Sequence, residues 1–489
     1  MLLHKNGSTL NTGLLLLVIF ILGGCGGAST SDTPPTTKVP SVTTPEPVIS
    51  EPEEPIAVTQ ETLPRIDIYN IEGEIVDEPK VTANMKVTQY VIGELPITNY
   101  DGFIGVEYRG SSSQYYYEKK NFGIETRDAE GEDLSVSLLG FPEEEDWVLH
   151  GPFGDKSLMR NALMFDMAAA FDRYSSRWQF VEVYVDEEYN GLYVLLEKIK
   201  RDDNRVNINK LKEDENSGED VTGGYIIKLD KTNGEHEGDP GAYDLYTDNM
   251  SFISAHGSGI NPNSIHHFIY HTPKSDDITD EQKAYIQQYV GDFEDALASD
   301  QFKDETAGYR NFIEVDSFVD YFLATEISGN VDGYRLSTYL YKDKNDKLTM
   351  GPLWDYNLAF GNADYCDGGS NTLWVYLSEE RCEGGVFGVP FWWYRLLEDP
   401  YFADKVKARW SALRAGSLSD AAVTQRINTM QQQLDNTGAV QRNFQRWDIL
   451  GAYVWPNEYV GQTHAEEVTY LSQWLTARLQ WLDNEITNL

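Results

Sequence analysis

The chain has 489 residues, of which 41% are hydrophobic and 12% aromatic, and its formal net charge is −40. This length allows two or three domains, and the aromatic residues can fill a sizeable core. So acidic a surface repels nucleic acid and anionic membranes, and we therefore expect no nucleic-acid partner. A polyanionic ligand would enter only where local Lys or Arg side chains, or a bound metal, offset this charge.

Residues 1–24 are predicted to be a lipoprotein signal peptide. Nine consecutive apolar residues, too few to span a bilayer, end at Leu22-Gly23-Gly24-Cys25. This ending resembles a bacterial lipobox in which Cys25 is lipidated, and the alternative is an ordinary signal peptide with a chance cysteine. We expect an extracytoplasmic lipoprotein, held through Cys25 on the outer membrane or cell surface of a bacterium.

Residues 25–62 are predicted to form a lipid-anchored linker. Seven Pro, eight Thr and four Ser lie between residues 28 and 62, without any apolar periodicity. Such a composition is typical of an extended spacer, so the folded body is expected to begin near Leu63.

The cysteines indicate one crosslink. If Cys25 carries lipid, Cys366 and Cys382 are the two that remain. In an oxidising compartment we expect them to pair, which would stabilise the fold by about 3 kcal/mol in the chain-entropy model. Two free buried thiols are the alternative, and no His or further Cys close in the sequence indicates a zinc site.

Residues 63–230 are predicted to form a β-rich region with one helix. The clearest element is a hairpin, in which the residues from Val181 to Val185 alternate, Asn190-Gly191 is a strong turn signal, and the return strand ends at Glu197. We expect an antiparallel sheet with the helix packed on it.

One turn in this region combines small, hydroxyl-bearing and basic residues. It comprises Arg109, Gly110, Ser111, Ser112 and Ser113, and a strand bearing Lys119 and Lys120 follows it. Backbone N–H groups, hydroxyls and cations in such an arrangement can cradle an anion. The alternative is a Gly/Ser-rich hairpin turn with solvated lysines.

Residues 231–489 are predicted to be mostly helical, which makes the fold class α+β. The helix after Asp316 buries Phe322 on its apolar face, and Glu326 falls on that same face. A carboxylate there is costly unless it is paired or liganded. Glu326 is therefore either functional or an acid at the exposed end of the stripe.

Two acids 23 residues apart, Asp332 and Asp355, indicate chemistry. Asp332 follows the predicted helix, and Asp355 follows a β-like run and a Gly-Pro pair. A hairpin-like segment between them would bring the acids to neighbouring ends, where one can bind metal and the other can act as a base in phosphoryl transfer. The alternative is that both are turn or helix-capping residues.

Five ordered segments resemble the CotH kinase family, named after the spore coat protein H kinases. They are RGSSSQYYYEKKNFGIETRD, GFPEEEDWVLHGPFGDKSLMRNAL, VEVYVDEEYNGLYVLLEKIK, TGGYIIKLD and EISGNVDGYRLSTYLYKDKNDKLTMGPLWDYNLAFGN. The resemblance covers residues 63–489. It implies a two-lobed protein-kinase-like fold, with a β-rich lobe (63–230) and a mostly helical lobe (231–489), that uses ATP and Mg²⁺ or Mn²⁺.

The resemblance also implies roles for single residues. Asp332 resembles the acid that accepts or orients the acceptor hydroxyl, and Asp355 resembles the metal-binding acid. Asn330 and Glu326 are further candidate metal ligands. The chain has neither a GxGxxG loop nor a His-Arg-Asp triplet, and a run from Asn330 to Asp332 stands in place of the triplet.

The nucleotide contacts follow from the same resemblance. Lys119 or Lys120 resembles the phosphate-pairing lysine, and strand parity leaves the choice open. Arg109, Ser111, Ser112 and Ser113 would line the phosphates, and Glu197 would lie near the adenine.

We therefore expect a membrane-anchored atypical kinase that transfers the ATP γ-phosphate to Ser or Thr of a surface or secreted protein. The alternative is a non-catalytic surface-binding or structural protein, which the stalk and aromatics such as Trp374, Trp392 and Trp393 would suit. A third hypothesis is a glycan-acting carboxylate enzyme, since two acids and exposed Trp also suit sugars. Metal-dependent ATP binding discriminates among the three.

Overall fold

The structure, a computed structural model, describes residues 57–232, 246–257, 264–382 and 388–489. The predicted signal peptide, Cys25 and the linker up to residue 56 lie outside the described residues. Within the described ranges, no helix combines the length and the apolar character needed to cross a membrane.

Seven strands of the N-terminal part close into a barrel. They are β1 (Arg65–Tyr69), β2 (Val81–Gln89), β3 (Ile97–Arg109), β4 (Asn121–Arg127), β5 (Asp146–His150), β6 (Trp178–Val185) and β7 (Glu188–Glu197). Their order is β1-β2-β3-β4-β5-β7-β6. All pair antiparallel except β1 and β6, which pair parallel and close the barrel.

The barrel interior is apolar because its strands alternate side chains between two faces. Ile66, Val87, Ile104 and Ile124 are each at most 1% exposed and belong to one buried cluster. Two helices interrupt the strands, α1 (Ser112–Tyr116) and α2 (Arg160–Ala168). The sequence predicted a sheet, and the structure shows the sheet closed on itself.

A second sheet joins the two halves of the chain. Its strands are β8 (Tyr225–Leu229), β9 (Ser251–Ile253), β10 (His267–Thr272), β11 (Thr338–Lys342) and β12 (Thr349–Met350), in the antiparallel order β12-β11-β8-β10-β9. Because β8 pairs with β10 and β11, the predicted boundary between residues 230 and 231 falls inside one sheet. The part after residue 231 therefore contributes four strands as well as helices.

Seven further helices complete the α+β fold. They are α3 (Asp280–Ala298), α4 (Val315–Ser328), α5 (Trp392–Leu397), α6 (Pro400–Ala415), α7 (Asp420–Asn436), α8 (Ala439–Arg446) and α9 (His464–Glu485). Helix α4 is central, because it is buried from Ser317 to Ser328 and packs against α6, α9 and β12. Trp392 and Trp393 are each 1% exposed, so they are core residues and do not provide the binding surface for which the surface-binding hypothesis used them.

Candidate functional site

A tight turn after α4 places the first acid. Gly329 ends the helix with φ 57°, a left-handed conformation that glycine adopts without strain. The Asn330 side chain then orients the turn: its Oδ1 accepts the Asp332 N–H at 3.2 Å, and its Nδ2 donates to the Asp355 carbonyl at 3.1 Å. Asn330 thus links the two acid-bearing segments through their backbones.

Asp332 is held by two donors. Arg335 Nη2 lies 3.0 Å and the Tyr365 hydroxyl 3.3 Å from the same oxygen, Oδ1. The side chain of Asp332 is 23% exposed. The carboxylate is therefore oriented while part of it still faces solvent.

Of the two acids, Asp355 has the more strained backbone and the less favourable electrostatic surroundings. Its φ is 64°, which is uncommon for a residue other than glycine and concentrates at functional sites. The side chain is solvent-accessible, yet protein atoms surround it closely, as on the floor of a cleft. Burial, followed by the charges of Asp332 and Asp230, raises the pKa of Asp355 to about 6.

Two cations partly offset these negative charges. Arg109 ends β3 and lies over the Trp354 ring, 5.4 Å from its centroid. Lys231 donates to Ser112 Oγ at 2.8 Å. The charges of Lys231 and Arg109 both favour the ionised form of Asp355. Acids and cations therefore meet around one carboxylate.

The third acid, Asp230, comes directly after β8. Lys228 Nζ donates to its Oδ2 at 2.9 Å, and the Lys231 N–H donates to its Oδ1 at 3.0 Å. Sequence analysis missed Asp230 and Lys231. The available signal was three charged residues within four positions, Lys228, Asp230 and Lys231, at the end of an apolar strand.

The site has carboxylate oxygens that suit a divalent cation and basic side chains that suit an anion. Carboxylate oxygens suit Mg²⁺ or Mn²⁺. Asp355, Asp332 and Asp230 carry such oxygens, but these do not all lie within 4.8 Å of one another. Ser111 Oγ is buried and has no hydrogen-bond partner in the part of the chain that the structure describes. An incoming phosphate oxygen would satisfy that hydroxyl, so the donor types present are those that a metal ion and a phosphate group require.

A comparison with protein families identifies the chain. The sequence model described as "CotH kinase protein" matches residues 106–482, which include every side chain of the site described in this subsection. The chain belongs to the CotH kinase family. No curated protein matches it.

The two lysines that the CotH resemblance singled out make their contacts away from the acids of this cleft. Lys119 is 1% exposed, and its Nζ donates to the Leu192 carbonyl and, at 2.9 Å, to Asn443 Oδ1. Burial lowers the pKa of Lys119 well below its usual value. Lys120 Nζ donates to the Gln114 and Tyr117 carbonyls, so it holds α1 in place.

In this CotH chain the predicted Ser-rich turn forms a short helix, and its three serine hydroxyls have different hydrogen-bond partners. Ser112 accepts from Lys231, whereas Ser113 Oγ accepts from Asn121 Nδ2 at 3.1 Å. Ser111 is the one of the three whose hydroxyl has no partner among the described residues. The stretch still connects the antiparallel neighbours β3 and β4, so the expected hairpin connection is formed and contains this helix.

Glu326, predicted as a candidate metal ligand, is enclosed in an ion pair. It is 0% exposed, its Oε2 lies 3.0 Å from Arg478 Nη2, and the Val375 N–H donates to the same oxygen. Its Oε1 accepts from the Tyr334 hydroxyl and the Tyr376 N–H. Both oxygens of Glu326 accept hydrogen bonds, because an unpaired carboxylate is costly to bury. Glu326 therefore has a structural role, which replaces the prediction that it binds a metal ion.

Glu197, predicted near the adenine, is likewise paired. Its Oε1 accepts from Arg177 Nη1 at 2.7 Å, and its Oε2 accepts from the Tyr174 hydroxyl. It ends β7 and is 0% exposed. Glu197 therefore binds Arg177 and Tyr174 and is not accessible to solvent.

Another group of acids lies elsewhere. Glu144, Glu145 and Asp146 hold ligand oxygens within 4.8 Å of one another, the one such trio among the described residues. Lys200 pairs with all three. Lys198 also pairs with Asp146 and Arg205 with Glu144, so three cations face the three acids in an ion-pair network.

A disulfide joins Cys366 and Cys382, whose Cα atoms are 4.9 Å apart. Cys366 follows Tyr365, the residue that donates to Asp332. The crosslink thus anchors the segment that presents this hydroxyl to the acid.

Proposed function

We propose that this protein is a metal-dependent kinase that transfers the γ-phosphate of ATP to a Ser or Thr hydroxyl of a protein. The observation that carries the proposal is Asp355, a strained carboxylate on a cleft floor with two like-charged neighbours and two cations. Like charges around one carboxylate repel one another. A divalent cation bound among them would remove that repulsion.

The side chains divide the work of the transfer. Arg109 and Lys231 would bind phosphate oxygens, and Asp332, oriented by Arg335 and Tyr365, would accept the proton of the acceptor hydroxyl. The hydroxyl oxygen forms a bond to the γ-phosphorus while the bond to the β–γ bridging oxygen breaks, and ADP leaves. A Mg²⁺ or Mn²⁺ ion held by Asp355 would neutralise phosphate charge.

The architecture supports a division into two lobes. The closed barrel with α2 would serve as the N-terminal lobe and supply Arg109, while the second sheet and the helices after it would supply Asp230, Asp332 and Asp355. The acids would come from the second sheet and the helices after it, and a phosphate-binding cation would come from the barrel. This is the arrangement that a nucleotide bridging two lobes requires.

We also propose where the enzyme acts. The lipobox-like Leu22 to Cys25 and the linker to residue 62 support an extracytoplasmic lipoprotein anchored to a membrane through Cys25. Its substrate would then be a surface or secreted protein. The net charge of −40 supports the absence of nucleic-acid partners.

The test is incorporation of labelled γ-phosphate with Mg²⁺ or Mn²⁺, with a generic protein acceptor added. Wild type is compared with Asp355→Ala, Asp332→Asn and, as a matched control, the exposed Asp404→Ala on α6. We expect label with wild type and the control, no label with either site variant, and retained ATP binding in Asp332→Asn. Normal transfer by Asp355→Ala would refute the metal assignment.

Calorimetry separates the alternatives. A wild type that binds ATP only with a divalent cation but transfers no label would indicate a nucleotide-binding, non-catalytic protein. A wild type that binds no ATP would refute the kinase and favour the surface-binding hypothesis.

A further inference from the structure

The connection between β2 and β3 carries an exposed apolar surface. Four aliphatic side chains within seven positions are between 36% and 60% exposed, namely Val91, Ile92, Leu95 and Ile97. We call residues 90–97 the β2–β3 tip. Single exposed apolar residues are common on proteins, but a contiguous group of them marks a surface that contacts another molecule or a membrane. The tip is therefore a candidate docking surface.

The β2–β3 tip is also poor in charge. From Tyr90 to Tyr100 only Glu94 is charged, in a chain of which 24% of the residues are charged. Almost all of the net charge of −40 is thus carried elsewhere. Because the tip has no cation, it cannot attract an acidic surface, whereas a zwitterionic lipid surface would not repel it. The composition favours an apolar phase over an ionic partner.

The start of the folded body indicates which apolar phase lies within reach. The described residues begin at Ala57, and the Val58 N–H donates to the Glu94 carbonyl at 2.8 Å, while the Gly93 N–H donates to the Val58 carbonyl at 2.8 Å. The chain therefore enters the body at the tip itself. Cys25, the proposed lipidation site, precedes Ala57 by 32 residues, which span at most roughly 100 Å. The bilayer that would hold this lipid is thus within reach of the tip.

We propose that the β2–β3 tip inserts into the zwitterionic lipid surface of the membrane to which Cys25 is anchored, with Ile92 and Leu95 below the headgroups. Tyr90 and Tyr100, half-buried at the base of the tip, are of a residue type that is enriched at the level of the headgroups. This inference rests on the proposed membrane anchoring and is independent of the proposed kinase reaction. It adds a membrane contact that the folded body makes with its own side chains.

Insertion of the tip sets the direction in which the cleft faces. Strand β3 begins at the tip with Ile97 and ends with Arg109, which lies at the cleft, twelve residues later. At about 3.3 Å per residue, the strand carries Arg109 up to about 40 Å from the tip. The cleft is then held away from the bilayer, towards proteins that extend beyond the lipid headgroups.

The test measures the depth of the tip in the full-length protein, reconstituted into phosphatidylcholine vesicles. An environment-sensitive fluorophore is attached at Ile92→Cys or, as a control, at Ser217→Cys on an exposed loop between β7 and β8. Cys366 and Cys382 are joined in a disulfide, so the label reacts with the introduced cysteine. Lipids with a spin label on the acyl chain should quench the probe at position 92 several times more strongly than the probe at position 217.

A second pair of variants tests the apolar character of the tip. Leu95→Asp places a charge in the tip, and we expect it to remove most of the quenching at position 92, because a carboxylate is costly within the lipid acyl chains. Ile253→Asp places the same charge at an exposed residue of β9 and should leave that quenching unchanged. Equal quenching at positions 92 and 217, or quenching that Leu95→Asp leaves intact, would overturn the insertion.

Further outcomes separate the tip from the anchor and from the kinase. Lipid found on Cys25 by mass spectrometry, with equal quenching at both probe positions, would refute the tip and leave the anchor standing. A chain without lipid on Cys25 whose probe at position 92 is still selectively quenched by added vesicles would do the reverse. A dimer in sedimentation that Leu95→Asp dissociates, without quenching by lipid, would assign the tip to self-association and overturn the proposal. Phosphate transfer in solution tests the kinase independently of these results.

Discussion

Glu326 and Asp355 are two carboxylates on either side of the Asp332 turn, the first buried and the second accessible to solvent, and their partners differ. Glu326 has a guanidinium, two backbone N–H groups and a hydroxyl directed at its two oxygens. Asp355 has two other acids nearby and a backbone in the left-handed region. One carboxylate is fully satisfied by the protein, and the other is not.

The contrast separates an acid that builds the fold from one that performs chemistry. Burial is the largest cause that raises the pKa of both groups, so the direction of the shift does not distinguish them. The partners do, because a paired acid stabilises the native state while an acid among acids opposes it. Removing each one should therefore change stability in opposite directions.

The largest effect is expected from Glu326→Ala. The change leaves Arg478, which is 0% exposed, without its counter-charge, and losing one partner of a buried pair costs about 3–5 kcal/mol. Denaturant unfolding measures the loss. The double variant Glu326→Leu, Arg478→Leu should recover most of it, and a loss below about 1 kcal/mol in the single variant would contradict the structural role.

Asp355→Asn should abolish phosphate transfer and yet stabilise the fold. The folded pKa of about 6 exceeds the usual 3.8, so the native state becomes relatively less stable as pH rises through this interval, and Asn removes that loss. Because solvent reaches the side chain, we expect only about 1 kcal/mol at pH 8. Thermal unfolding at pH 8 and pH 4 checks the sign, since the gain should disappear at pH 4.

The lysines provide a sharper comparison between a cation of the site and a cation of the core. Lys231→Met should raise KM for ATP about tenfold, the effect of losing one phosphate contact of roughly 1.4 kcal/mol. Lys119→Met should leave KM within about twofold, because Lys119 contacts Leu192 and Asn443. Steady-state kinetics on both variants tests the assignment, and the opposite pattern would restore Lys119 as the phosphate-binding residue.

The smallest change is expected from pH alone. Below about pH 6 the raised pKa of Asp355 leaves its carboxyl protonated, so affinity for Mg²⁺ with ATP should fall by up to about tenfold per unit. Calorimetry between pH 5 and pH 8 measures this slope. Asp355→Asn should show no such slope, and an equal slope in both proteins would assign the titration to another group.

Local patterns in the sequence predicted the features that neighbouring residues determine. The α+β class, the β6–β7 hairpin and the proximity of the Asp332 and Asp355 segments follow from alternation, turn residues and a helix end. Closure of the barrel does not, because β1 pairs in parallel with β6 more than a hundred residues away. Pairings at that distance leave no mark in the periodicity of either strand.

The same limit explains the site residues that sequence analysis placed differently or missed. Lys119 looks like a strand lysine near a Gly/Ser turn until Asn443 is folded against it. In the sequence, Glu326 lies unpaired on an apolar helix face, whereas in the fold Arg478 of α9 pairs with it. Lys231 contacts Ser112, which lies 119 residues earlier, and the sequence gives no sign of that pairing.

The contact between Lys119 and Asn443 also bears on how the protein is made. Asn443 Oδ1 accepts both from Lys119 Nζ and from the Leu192 N–H, so a residue near the end of the chain completes the polar interior beside the barrel. During synthesis the barrel strands emerge first, and Lys119 gains its Asn443 contact only when α8 packs against β7. A nascent chain stopped before residue 443 would therefore lack this contact and the cover of α8, which makes the early product a better target for quality-control proteases than the finished protein.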